Sequence, residues 1–197
     1  MYDTKDLIID EWFPTTIGVC EYKNFNQKFY TSLLKNDIRD LHLNPDFENL
    51  NIWVTNAVNQ YAKEHKFVYT YEIKESFSVN YYKGQYQSVH GHNGYHISAV
   101  FYVNCESADA PIVFRSPYFI DSANPYGNKI HDGSANGTLN ERNSERYNKY
   151  TYPSCYYVPK TGRLLIFRSY VQHEVLQKQN DCQRIVISYN FNPKKEI

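Results

Sequence analysis

The spacing of apolar residues changes once along this chain, near Lys66, and no other feature restricts the fold as much. From Asn24 to about Leu41, the residues Phe25, Phe29, Leu33, Leu34, Ile38 and Leu41 recur every three or four positions, the period of a helix. A second helix is expected from about Phe47 to Lys66, with Leu50, Trp53, Val54, Ala57, Val58 and Tyr61 on one face. Ahead of both, residues 7–20 carry short apolar patches around Pro14, expected as an edge strand or a strand pair broken at the proline. Beyond Lys66 the runs shorten and become rich in strand-forming residues: Phe67–Ile73, Ser76–Tyr82, Ile97–Asn104, Ala110–Arg115, Arg163–Arg168 and Arg184–Phe191. Helices followed by many short strands predict a mainly β, α+β domain: a sandwich or barrel with the helices packed outside it.

One stretch fits neither period. Residues 116–158 are dense in Asn, Gly, Ser and Tyr, and include the turn pair Asn136-Gly137. A connection of that length inside a domain is expected to be a lid or a disordered segment, and its aromatic residues favour a lid that touches the site. At 197 residues the chain is expected to be one domain, with residues 1–66 as helical support and 67–197 as the β portion.

Charge gives little direction. Lys plus Arg and Asp plus Glu stand at 21 each, so no net field draws the chain toward nucleic acid or an anionic membrane. No apolar run approaches the roughly 18–20 residues of a membrane span. Cys20, Cys105, Cys155 and Cys182 lie far apart with no C-x-x-C pair, which suits reduced thiols and a cytoplasmic location. The 20 tyrosines fit a strand-rich fold and carry no functional argument alone.

The histidines carry more. His90-Gly91-His92 follows one expected strand and precedes another, and residues two apart in an extended chain project from one face. Both imidazoles can then reach a single metal ion, although an H-x-H pair alone is a weak signal. His173 follows the apolar run Arg163–Arg168, and Arg184 comes 11 residues after it. Arg184 opens the run Arg-Ile-Val-Ile-Ser-Tyr-Asn-Phe, in which Arg184, Val186, Ser188 and Asn190 share a face. An inward-facing arginine needs an anionic partner, and its planar fork suits a carboxylate. An internal Asp or Glu could supply that partner. Three histidines followed by such an arginine also satisfy a metal site that takes a dicarboxylic co-substrate, with open positions on the metal.

Residues 76–104 and 159–192 resemble the 2-oxoglutarate/Fe(II) oxygenases of bacteria and marine bacteriophages. The resemblance rests on Asn80-Tyr81-Tyr82-Lys83-Gly84 (with Gly84 displaced by one residue), His90-Gly91-His92 and Ser98-Ala99-Val100-Phe101-Tyr102-Val103. It continues through Pro111-Ile112-Val113-Phe114-Arg115-Ser116-Pro117, Pro159-Lys160-Thr161-Gly162-Arg163, His173-Glu174-Val175 and Arg184-Ile185-Val186-Ile187-Ser188. Trp12-Phe13-Pro14-Thr15 is also similar to the family's opening. Tyr118–Val158 matches nothing in it.

The resemblance implies a double-stranded β-helix, or jelly roll, with iron at its open end. It places His90, His92 and His173 as the metal ligands and catalytic centre. Arg184 would hold the distal carboxylate of 2-oxoglutarate, with Ser188 supporting it and Tyr82 as a further donor. The cofactors implied are Fe(II), 2-oxoglutarate as co-substrate and O₂. The reaction implied is hydroxylation of an unactivated C–H bond, prolyl being one case, with 2-oxoglutarate converted to succinate. The wider superfamily has Asp or Glu at the second ligand position. His92 therefore departs from the pattern, and a carboxylate elsewhere, or His96, stays open as the alternative. The substrate is expected to be a peptide or small molecule, and a homodimer is one assembly compatible with the sequence. A phage-encoded chain would act in the host cytoplasm. Two other readings stay open: a cupin-type metal-dependent dioxygenase or isomerase that does not use 2-oxoglutarate, and a non-catalytic jelly-roll binding module.

Overall fold

Over most of the chain, successive strands fall in opposite sheets, and this alternation organises the molecule. The structure is a computed structural model that describes residues 15–23, 33, 37–117, 130–132 and 154–196. Among these, ten strands form two sheets: β1 (Ile17–Glu21), β2 (Tyr69–Tyr81), β3 (Gln87–His90), β4 (Ile97–Asn104), β5 (Ile112–Arg115), β6 (Ile130–Asp132), β7 (Ser154–Tyr157), β8 (Arg163–Arg168), β9 (His173–Val175) and β10 (Arg184–Glu196). The major sheet has the order β1-β8-β4-β10-β2 and the minor sheet β3-β9-β5-β7-β6. From β2 to β5 and again from β7 to β10 the chain steps from one sheet to the other at each strand. All described pairings are antiparallel except β6 with β7. This is the double-stranded β-helix expected from the sequence.

Two cores follow from the two faces of the major sheet. Ile97, Ala99, Phe101 and Val103 of β4, with Ile185, Ile187, Tyr189 and Phe191 of β10, pack against helix α1 (Glu48–Glu64). The helix meets them with Leu50, Val54, Val58 and Tyr61, the face expected from their spacing. Residues of the other parity, Val100 and Tyr102 of β4 and Val186 of β10, point into the space between the sheets with Leu165 and Phe167 of β8. α1 ends at Glu64, and the turn after it is made by Lys66 in a left-handed conformation, φ 54°.

Several expectations are corrected. The runs 67–73 and 76–82 are not two strands but one, because β10 pairs along the whole of β2. A bulge skips Lys74 in the register, since Asn190 lies opposite Glu75 and Phe191 opposite Ile73. The extra residue reverses the strand's parity. Ile73 therefore packs on the helix side while Val79 and Tyr81 face the interior, so the alternation looked broken in sequence. β10 runs past Phe191 to Glu196. The first expected helix does not reach Leu41: Arg39 forms a β-bridge with Phe77, and Leu41–Leu43 is a 3₁₀ turn. Most of its span, and residues 7–14, lie outside the described residues. β1 is an edge strand, paired with β8.

The expected lid is shortened. Ser154–Tyr157 is strand β7, paired with β5, with Ser154 and Tyr157 buried. β6 pairs with its other edge. Residues 118–129 and 133–153 lie outside the described residues. No helix among the described residues is long and apolar enough to cross a membrane. All four cysteines are among the described residues, and no disulfide joins them.

Candidate active site

A cavity of about 310 Å³ opens between the sheets, and residues from both meet in it. His90 ends β3 and His173 begins β9, and the two are paired in register. His92 enters from the loop between β3 and β4. The ligand-capable nitrogens of the three imidazoles all lie within 4.8 Å of one another. His92 Nε2 and His173 Nε2 are 3.3 Å apart, and two nitrogens at right angles on one first-row metal ion stand about 3 Å apart.

Gly91 lets the pair of histidines bend this way. A Cβ at that position would stand 3.3 Å from the Ser169 carbonyl oxygen and 3.6 Å from that of Tyr170. The backbone of the turn after β8 occupies the space a side chain would need, and His92 N–H donates to Ser169 O at 2.8 Å.

The donor chemistry suits a cation. His90 Nδ1 lies 2.8 Å from Ser88 O, and His173 Nδ1 lies 3.0 Å from Val171 O. A carbonyl oxygen can only accept, so each Nδ1 carries the proton and each Nε2 presents its lone pair. Burial holds the imidazolium of His173 down to about 3 and that of His92 to about 4, with the neighbouring histidines adding to both shifts. Both rings are therefore neutral at ordinary pH, the form that binds metal. Among the described residues no Asp or Glu joins the three. His96 is not a rival: its Nε2 accepts from Arg168 at 3.1 Å, its Nδ1 lies 2.7 Å from the Tyr71 hydroxyl, and it stacks on that ring.

Deeper in the cavity, Arg184 is 1% exposed. One of its terminal nitrogens donates to Ala110 O at 2.6 Å, and its guanidinium lies 4.2 Å from the centre of the Tyr81 ring. Its Nε has no hydrogen-bond partner, and no described carboxylate pairs with it. A permanently charged group buried in this way calls for an external anion. The cavity, which the three imidazoles also line, offers a dicarboxylate one end for the arginine and the other for a metal.

Ser188 also lines this cavity. Tyr82 does not: it follows β2, is 49% exposed, and its hydroxyl accepts from Gln183 at 3.2 Å. One residue of offset decides the matter, because Tyr81 has the inward parity and Tyr82 does not. The sequence reading passed over Tyr81, whose ring lies against the Arg184 guanidinium, and Tyr102 and Phe77, which line the same cavity. The inward parity of Val100 and Tyr102, opposite to that of Phe101, was the signal that could have found Tyr102.

A jelly roll with three converging imidazoles and, in the same cavity, a buried guanidinium that no described carboxylate pairs has the layout of a metal-dependent enzyme that takes a carboxylate co-substrate. A profile of the family described as "Putative 2OG-Fe(II) oxygenase" matches residues 75–190, more than half of the chain. The chain belongs to this 2-oxoglutarate- and Fe(II)-dependent oxygenase family, and Fe(II) and 2-oxoglutarate are its cofactors. No curated protein gives a sequence match.

Solved structures share the fold at low identity. HygX from Streptomyces hygroscopicus, with nickel and 2-oxoglutarate bound, is 14% identical with a TM-score of 0.57, over 91% of this chain and 83% of that one. The viral collagen prolyl hydroxylase vCPH from Paramecium Bursaria Chlorella virus-1 is 11% identical with a TM-score of 0.53, over 91% and 96%. A 2OG-Fe(II) oxygenase family oxidoreductase from Burkholderia pseudomallei is 12% identical with a TM-score of 0.50, over 75% of this chain and 57% of its own. The chain thus spans little more than half of that last protein.

Proposed function

We propose that the chain is a hydroxylase, in which His90, His92 and His173 hold Fe(II) and Arg184 holds the distal carboxylate of 2-oxoglutarate. The observation that carries this reading is the buried Arg184 guanidinium, which no carboxylate among the described residues pairs, in the same cavity as the three imidazoles. When bound, the metal and co-substrate supply the oxidising power, with O₂ consumed and 2-oxoglutarate leaving as succinate and carbon dioxide.

The chain's own residues bind, orient and exclude water. His90 and His173 keep their Nε2 lone pairs directed at one point through the Nδ1 bonds to Ser88 O and Val171 O. Ala110 O and the Tyr81 ring fix the guanidinium, and Ser188 offers a hydroxyl to the same carboxylate. Val79, Val100, Ile112, Val175 and Val186 line the remaining wall with apolar surface, so the reaction proceeds away from bulk water. A cupin-type enzyme without 2-oxoglutarate, or a binding module, gives Arg184 no partner.

The substrate is a peptide or small molecule bearing an unactivated C–H bond. Prolyl hydroxylation is the case suggested by the likeness to the viral collagen prolyl hydroxylase. The reading places the protein in the cytoplasm (the host's, if phage-encoded), with a homodimer as one assembly and no membrane or nucleic-acid partner. The test is succinate production from 2-oxoglutarate with Fe(II) and O₂. Wild type should produce it, and His173→Ala should lose both production and equimolar metal binding. Undiminished metal occupancy in His173→Ala would remove the assignment.

A further inference from the structure

Below the loop that carries His92 lies a buried chain of polar side chains that the reaction itself does not use. Ser98 is 0% exposed, and Ser169 and Asn190 are each 1% exposed. They come from β4, the turn after β8, and β10, and they touch in series. Ser98 Oγ donates to Asn190 Oδ1 at 2.8 Å and lies 2.8 Å from Ser169 Oγ, which must then donate to it. Asn190 Nδ2 donates to Glu75 Oε2 at 2.8 Å, and Glu75 Oε1 meets Arg39 at 3.4 Å.

This chain is tied to the loop at several points. Ser169 O accepts from His92 N–H at 2.8 Å, and Ser169 N–H donates to His96 O at 3.3 Å, so one residue pins both ends of residues 92–96. Asn192, two residues beyond Asn190 on β10, donates to Gly94 O at 3.2 Å. His90 and His173 sit on paired strands, whereas His92 has no strand to place it. A buried, hydrogen-bonded floor takes over that task.

We propose that Ser98, Ser169, Asn190 and Glu75 are positioning residues for the metal centre, holding loop 91–96 so that His92 meets His90 and His173. The inference rests on the reading of His92 as a ligand. It predicts that breaking the chain weakens metal binding beyond what loss of stability explains, because outer partners of metal ligands typically govern affinity by about 10–100-fold.

The experiment is Co(II) titration of the metal-free full chain, followed by the cobalt d–d absorption. Four variants are compared with wild type: Asn190→Leu, Ser98→Ala, Glu75→Gln, and Val54→Ala as a control in the helix core. Asn190→Leu and Ser98→Ala should weaken Co(II) binding by about tenfold or more and shift the absorption bands. Val54→Ala should lower the melting temperature with affinity and spectrum unchanged. Glu75→Gln still offers Asn190 an acceptor, so it should bind as wild type does. Should Asn190→Leu not fold, Ser98→Ala decides alone. Wild-type affinity in the chain-breaking variants overturns the proposal, as does an equal loss in Val54→Ala at matched destabilisation. A loss in Glu75→Gln as large as in Asn190→Leu overturns it too, since charge rather than placement would then be acting. Absence of Co(II) binding by wild type removes the metal-site reading and this inference with it, whereas normal wild-type binding with normal variants removes this inference alone.

Discussion

Arg184 and the histidines answer to opposite physical demands, and substitutions at each test a different half of the site. The guanidinium is charged and lacks a carboxylate partner among the described residues, so its gain comes on binding an anion. Arg184→Ala should weaken 2-oxoglutarate binding by about 2–5 kcal/mol, the range for truncating one partner of a buried charge pair. Arg184→Lys should recover part of this, because an ammonium cannot form the bidentate fork. Calorimetry with a redox-inert metal in place of iron measures both, and unchanged affinity would return the cupin-type reading. The histidines need to be neutral, and burial does that: His92 is held to about 4 and His173 to about 3. In the unfolded chain each titrates near ~6.5. Between those values the unfolded chain binds more protons, so metal-free stability should fall as pH drops from about 6.5 toward 4, and these two groups should add no pH dependence above about 7.5. Urea midpoints of the metal-free protein at pH 7.5, 6 and 5 check the sign. A midpoint that holds or rises on acidification contradicts the buried, neutral state.

At the scale of elements, the periodic segments were legible and the short ones were not. α1 and the strands Ile97–Asn104 and Arg163–Arg168 fall where their apolar residues put them, because α1 shows a helical period along one face and the two strands are apolar runs buried on both faces. β3 and β9 have four and three residues, too few for alternation to register, yet they carry His90 and His173. The residues that share the cavity were named instead from the order His-x-His, His, Arg along the chain. The one misplaced residue, Tyr82, shows what that order lacks: parity at a strand end. The break expected near residue 74 had a real cause in the bulge at Lys74, misread as a gap. α1 covers the outer face of the major sheet with Leu50 fully buried. Leu50→Ala should cost about 2–5 kcal/mol of stability. It should leave Co(II) affinity intact, since the helix touches the face opposite the histidines. Denaturant titration and metal titration of the one variant separate the two effects, and a shared loss would mean that the faces are coupled.

At the scale of the whole molecule, a metal in this site would join the two sheets. His90 and His173 belong to the minor sheet, and His92 hangs from the loop leading into β4 of the major one. Divalent metal should therefore stabilise the fold by about 2.7 kcal/mol at a hundredfold excess over its dissociation constant. The melting temperature should rise with metal and fall back with chelator, and an unmoved midpoint would show that the histidines do not close on an ion. The strand order has a further consequence, for synthesis. The major sheet places β10 between β4 and β2, so an interior strand is made of residues 184–196 while its neighbours begin at residues 69 and 97. β2 and β4 must wait on the ribosome with this gap open between them, and pairings between such distant segments form slowly. Arg184 opens that interior strand, so a truncated or nascent chain lacking it has neither a closed major sheet nor the charge that would hold 2-oxoglutarate, and closure of this sheet and competence for the co-substrate arrive together.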